Sequence, residues 1–115
     1  MGSQWGYSKG FDSFCPMGPC IVSTEAIPDV SVLELKTTLN GKMMQNAPGK
    51  NLIFGIATIV SFLSQGTMLR AGTVILTGTP AGIGHSHNPP LYLSDECKLR
   101  IWISYGLGTL VNSVV

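Results

Sequence analysis

Lys9, in the run Ser8-Lys9-Gly10-Phe11-Asp12, is the first residue able to do chemistry. An ammonium group in a site sheltered from water can stabilise negative charge. Judged on its neighbours alone, this lysine is an ordinary solvated loop residue. The second feature is Thr77-Gly78-Thr79-Pro80-Ala81-Gly82-Ile83-Gly84, whose small residues let the backbone approach a ligand and expose amides to anionic oxygens. It is not a nucleotide loop. The only Gly-Lys steps, Gly41-Lys42-Met43 and Gly49-Lys50-Asn51, lack the following Ser or Thr, and the spacing Gly78, Gly82, Gly84 misses the dinucleotide fingerprint. His85 and His87 could hold a metal with Cys15, Cys20 or Cys97. Their spacing is not that of a zinc site, and a His-x-His in an Asn/Pro-rich stretch reads as solvated loop. Trp5 and Tyr7 could stack on a ligand and read more simply as packing residues, and Gln45 to Asn51 reads as a turn around Pro48-Gly49.

The elements that must position these groups follow from periodicity. Residues 1–19, rich in Gly, Pro and aromatic residues, read as loop with a short extended piece, and Cys20-Ile21-Val22 as a brief strand. Leu33, Leu35, Thr37 and Leu39 alternate with polar residues up to Asn40-Gly41, the strongest short hairpin signal, so Leu33–Leu39 is expected to pair with Lys42–Gln45. Leu52 to Gln65 carries a helical pattern with Asn51 placed to cap it, Gly66 placed to end it, and a polar stripe of Gly55, Thr58, Ser61 and Gln65 narrow enough to predict burial on most of its circumference. It falls short of the roughly 20 apolar residues that span a membrane. Thr73–Thr77 reads as a buried strand leading into the Gly78–Gly84 loop, Lys98–Tyr105 as an alternating strand, and Thr109–Val115 as a last strand beyond a glycine turn. The expected fold is mixed α/β and β-rich, with one main helix.

Composition sets the class. The chain has 115 residues, 44% hydrophobic but only 11% charged, against roughly 25% charged in ordinary soluble domains. So few charges predict that much of the surface is covered by further polypeptide or a partner. A net charge of +1 without any Lys/Arg cluster excludes an electrostatic nucleic-acid binder. Three cysteines and no secretory pattern point to a reducing compartment. The start Met1-Gly2-Ser3 misses the hydroxyl that a myristoylation motif wants at its sixth position, where Gly6 stands, and reads as a fusion scar or alternative start.

Ser8–Asp12 and Val74–Gly84, with Cys15-Pro16-Met17-Gly18-Pro19, Asn40-Gly41, Ile53-Phe54, Phe62–Gly66 and Gly106–Leu110 between and after them, resemble in order the C-terminal part of the fumarylacetoacetate hydrolase family. The resemblance covers nearly all of the chain. It implies residues 1–115 as a partial, N-terminally truncated fumarylacetoacetase-like C-terminal domain, a β-roll or sandwich. It implies Lys9 as a catalytic lysine near a metal, Ser13 in place of a metal-shell threonine, and Gly78, Thr79 and Pro80 lining the substrate site with Thr79 on the substrate carboxylate. It implies Mg²⁺ or Mn²⁺ held by a Glu-x-Glu pair and an Asp. Glu25, Asp29, Glu34, Asp95 and Glu96 do not match those motifs, so no metal ligand is expected in this chain, and Gly49 and Asn51 stand where many relatives have Thr and Asp. It further implies a keto-acid or dicarbonyl substrate, C–C hydrolysis, isomerisation or decarboxylation, a homodimer, and a cytoplasmic or mitochondrial setting, with no nucleic acid and no membrane. The competing expectation is a non-catalytic remnant or interaction module.

Overall fold

The computed structural model describes residues 4–115, so the Met1-Gly2-Ser3 start lies outside the described residues. At its centre is a four-stranded antiparallel sheet of β1 (Glu34–Leu39), β2 (Lys42–Pro48), β3 (Lys98–Ile103) and β4 (Gly108–Ser113), in the order β2-β1-β3-β4. Asn40 and Gly41, both at positive φ (49° and 83°), make the tight β1–β2 turn that the Asn-Gly pair predicts. Asn40 also fastens the hairpin to β3: its amide N donates to Lys98 O at 2.9 Å, and its Oδ1 accepts from Lys98 N at 2.7 Å. The β3–β4 turn uses Tyr105, Gly106 and Gly108 at positive φ.

Register gives the sheet two unlike faces. Leu35 stands opposite Ala47 and Ile103, and Thr37 opposite Gln45 and Ile101, so these rows share one side. On the other side Lys36 faces Trp102, holds its ammonium 4.8 Å from the ring centroid, and reaches Glu34 at 3.5 Å. A register shift between Thr37 and Thr38 leaves Met44 without a partner, a β-bulge in the middle of β2. The seam between β1 and β3 holds the buried Thr37, and the other buried residue, Cys97, lies just before β3.

Two helices accompany the sheet, α1 (Trp5–Lys9) and α2 (Ile56–Leu63). Expectation and structure part at several places. Residues 5–9 are helical where loop was expected, and Cys20–Val22 is not a strand. α2 is shorter than the 52–65 pattern: Gly55 is its N-cap, and Asn51 sits instead in a 3-10 turn over Gly49–Asn51. Its apolar side chains lie open, Phe62 at 71% exposure, rather than buried. Thr73–Thr77 has no ladder partner among the described residues, and Leu76 is 80% exposed. The shared reason is physical. Apolar patterning reports a surface suited to being covered, and among the described residues nothing covers these segments. No helix among the described residues is long and apolar enough to cross a membrane.

Candidate functional site

The Gly78–Gly84 loop docks on β2 at its bulge. Gly78 and Gly82 both hold positive φ, 103° and 105°, which only glycine adopts without strain. A Cβ at Gly82 would overlap the Met44 carbonyl oxygen, so the loop lies directly against the backbone of the bulged residue. One residue along, the half-buried Gln45 turns its side-chain amide to the same loop. Its Nε2 donates to Thr79 Oγ1 at 2.7 Å and to the Pro80 carbonyl at 2.8 Å. Two adjacent β2 residues thus hold the loop, one by close packing and one by hydrogen bonds.

Beside this junction lies a cleft of about 490 Å³. Thr77, Gly78, Thr79 and Pro80 form one part of its wall; Leu35 and Ile103 of the sheet and Ile56 and Ile59 of α2 contribute to the apolar remainder. Among the described residues no charged side chain lines it. An apolar hollow with a few convergent polar groups is the usual form of a small-molecule site. Among the wall residues, Gly78 carries a backbone amide and Thr79 a hydroxyl, groups of the kind that bind anionic oxygens.

Of the residues expected at a site, Gly78, Thr79 and Pro80 come together, and Lys9 does not join them. Lys9 ends α1, is exposed, and holds its ammonium 5.9 Å from the Trp5 ring centroid; it is absent from the cleft wall. Trp5 and Tyr7, expected as packing residues, are exposed at 66% and 78%. Tyr7 and Phe11, on either side of Lys9 in sequence, meet edge-on with centroids 5.5 Å apart, and Phe11 and Phe14 pack tilted at 5.4 Å. Ser13 sits in the following turn at a φ of 68°. His85 Nδ1 is 2.8 Å from Tyr92 Oη, which accounts for that imidazole locally. Gln45 is the residue that the sequence reading missed: it closed the expected hairpin strand, and its only signal was its place opposite the central β1.

Metal ligands are the other gap. Among the described residues no three His, Cys, Asp or Glu side chains cluster as a cation site requires. The donors present do not fit a Mg²⁺ or Mn²⁺ centre by themselves. Two groups have displaced acidities, and neither lines the cleft. The Asp29 carboxyl is held below its usual range by the Ser31 hydroxyl and then the Ser31 amide, as it caps the 3-10 turn Val30–Val32. The Cys97 thiol is lowered chiefly by the Ser94 hydroxyl, next by a backbone hydrogen bond at Ser94, with a smaller contribution from Asn40.

A family model described as Fumarylacetoacetate (FAA) hydrolase C-terminal matches residues 1–115. The mitochondrial oxaloacetate tautomerase FAHD2B of Bos taurus is 35% identical over 114 residues, 99% of this chain and 36% of that protein. The solved fumarylacetoacetate hydrolase of psychrophilic Exiguobacterium antarcticum superposes with a TM-score of 0.86 at 41% identity, over 90% of this chain and 37% of that one. Maleylpyruvate hydrolase from Sphingobium sp. SYK-6, solved with manganese(II) and pyruvate, does so with a TM-score of 0.80 at 32% identity, over 91% and 37%. The chain therefore spans little more than a third of each of these relatives.

Proposed function

The chain belongs to the fumarylacetoacetate hydrolase family, and from that premise we propose that it forms the substrate-carboxylate side of an enzyme acting on keto acids or 1,3-dicarbonyl compounds. The observation that carries the proposal is the Thr79 hydroxyl, fixed by Gln45 at the polar wall of an otherwise apolar cleft. In this reading the Thr79 hydroxyl and the Gly78 amide bind the substrate carboxylate, and the rest of the molecule lies along the apolar wall. Lys9 supplies positive charge where the substrate carbonyl becomes enolate-like, a contribution made in the transition state more than in the ground state. Because α1 stands apart from the cleft here, Lys9 acts once further polypeptide brings the two together. A divalent metal would polarise the carbonyl oxygens of such a substrate; its carboxylate ligands come from outside the described residues. Oxaloacetate and maleylpyruvate, the compounds named for two relatives, are the substrates to try first.

The competing reading, a non-catalytic interaction module, is favoured by the missing carboxylate cluster and by the open apolar surface. One experiment separates the two. This chain replaces the matching part of the Exiguobacterium antarcticum hydrolase, and the chimera is assayed with Mg²⁺ or Mn²⁺ against a panel of keto acids. Turnover supports the enzymatic reading. A folded, metal-binding chimera inert to the whole panel leaves the interaction module.

A further inference from the structure

Gln45 has a hydrogen-bonding arrangement that decides which way the Thr79 hydroxyl points. The oxygen and nitrogen of a Gln side chain are told apart by their partners. Here one partner is the Pro80 carbonyl, which can only accept, so the atom 2.8 Å from it must be the NH₂ nitrogen. That nitrogen carries two hydrogens and no acceptor capacity. The first hydrogen serves Pro80. The second lies toward Thr79 Oγ1 at 2.7 Å, which makes the threonine oxygen an acceptor in this contact. Its own proton is left free, and no other side-chain or backbone group holds the hydroxyl among the hydrogen bonds of the described residues. The hydroxyl thus presents a donor to whatever occupies the cleft.

Gln45 lies opposite Thr37, in regular alternation with Ala47 opposite Leu35 and so in the row that faces the cleft, while Met44, the unpartnered residue of the bulge, meets the glycine of the loop.

We propose that Gln45 is a positioning residue: it holds the Thr79 loop against the β2 bulge and sets the Thr79 hydroxyl as a donor to an anionic ligand oxygen, the carboxylate of a keto acid. This rests on the reading of Thr79 as the carboxylate contact. Gln45 touches no reacting atom and acts through Thr79.

The test uses this chain with oxalate, an unreactive planar dicarboxylate, titrated while the backbone amides of Gly78, Thr79, Ala81 and Gly82 are followed by NMR. The isosteric Gln45→Glu change, at neutral pH, replaces two donors by an acceptor, so the Thr79 proton turns inward and the donor to the ligand is lost. Oxalate affinity is expected to fall roughly tenfold, the size of one hydrogen bond to a charged group, with Thr79→Val falling comparably. In a Thr79→Val background most of the Gln45→Glu loss should disappear, because residues acting through one another are not additive. Equal losses in both backgrounds would make Gln45 merely structural and overturn the proposal. If Thr79→Val weakens oxalate while Gln45→Glu binds as the unsubstituted chain does, the positioning role alone falls. If Thr79→Val has no effect, or oxalate moves none of these amides in the unsubstituted chain, the carboxylate reading falls and takes this one with it.

Discussion

Lys9 and Thr79 present opposite problems at the scale of single residues. Thr79 is placed with a defined partner and a free donor, whereas Lys9 is chemically suitable but stands over Trp5, away from the cleft. If Lys9 stabilises charge that appears only as the carbonyl becomes enolate-like, its loss must affect turnover and leave stability alone. In an active chimera, Lys9→Met keeps most of the apolar length and removes the charge. The expected result is a fall in kcat of roughly 10²–10³-fold, as for a lost oxyanion donor, with an unchanged Tm. Near-normal kcat/KM would return Lys9 to the class of ordinary surface lysines. Thr79 could be singled out from sequence because a hydroxyl among glycines at a turn is visible in one dimension. Gln45 could not: its role depends on a loop 34 residues away.

At the scale of elements, the hairpins were legible and the crossover between them was not. Asn40-Gly41 and the alternation of Leu99, Ile101 and Ile103 report local geometry, which a sequence states directly. The run at 73–77 and the helical pattern at 52–65 report burial, which needs a second surface, and their expected extents were therefore too long or wrong. The turn before β1 is capped locally. Asp29 Oδ1 accepts from Ser31 N at 2.8 Å and Oδ2 from Ser31 Oγ at 2.6 Å, fixing the turn whose end, Leu33, takes the Gly49 amide through its carbonyl. Since these bonds lower the Asp29 pKa in the folded state, their stabilisation is present above the ordinary carboxylate range and is lost as pH falls through the lower folded value. Asp29→Ala should accordingly melt below the unsubstituted chain at neutral pH, with the gap closing in acid. A gap that stays constant across the acid range would show that the charge plays no part.

The whole molecule exposes more than its mass warrants. A self-contained protein of 12.2 kDa presents about 6,100 Å² to solvent, whereas this chain presents 9218 Å². Its radius of gyration is 15.5 Å against about 13 Å for a compact domain of this length. The difference in area, roughly 3,000 Å², exceeds the approximately 800 Å² per partner of a standard interface. Much of it is apolar: Ile53 is 90% exposed and Phe54 64%. The isolated chain should self-associate, seen as a sedimentation coefficient that rises with concentration. A monodisperse monomer that melts cooperatively would mean that these faces tolerate water.

The sheet order β2-β1-β3-β4 also dictates a sequence in time. Each outer pair is a hairpin with a short turn, whereas the central seam joins strands separated by residues 40–97. Hairpins form within about 1–10 μs, and closing so long a loop is slower and entropically opposed. Much of what makes the cleft, α2 and the Thr79 loop included, lies inside that loop, and Leu35 and Ile103 lie on the seam itself. Pulsed hydrogen exchange should find the hairpin amides protected before Asn40 N and Ser104 N, which bridge the seam to Lys98 O and Glu34 O; simultaneous protection would contradict it. The cleft is then the last part of the chain to come into being, and the first to be lost when the two hairpins separate.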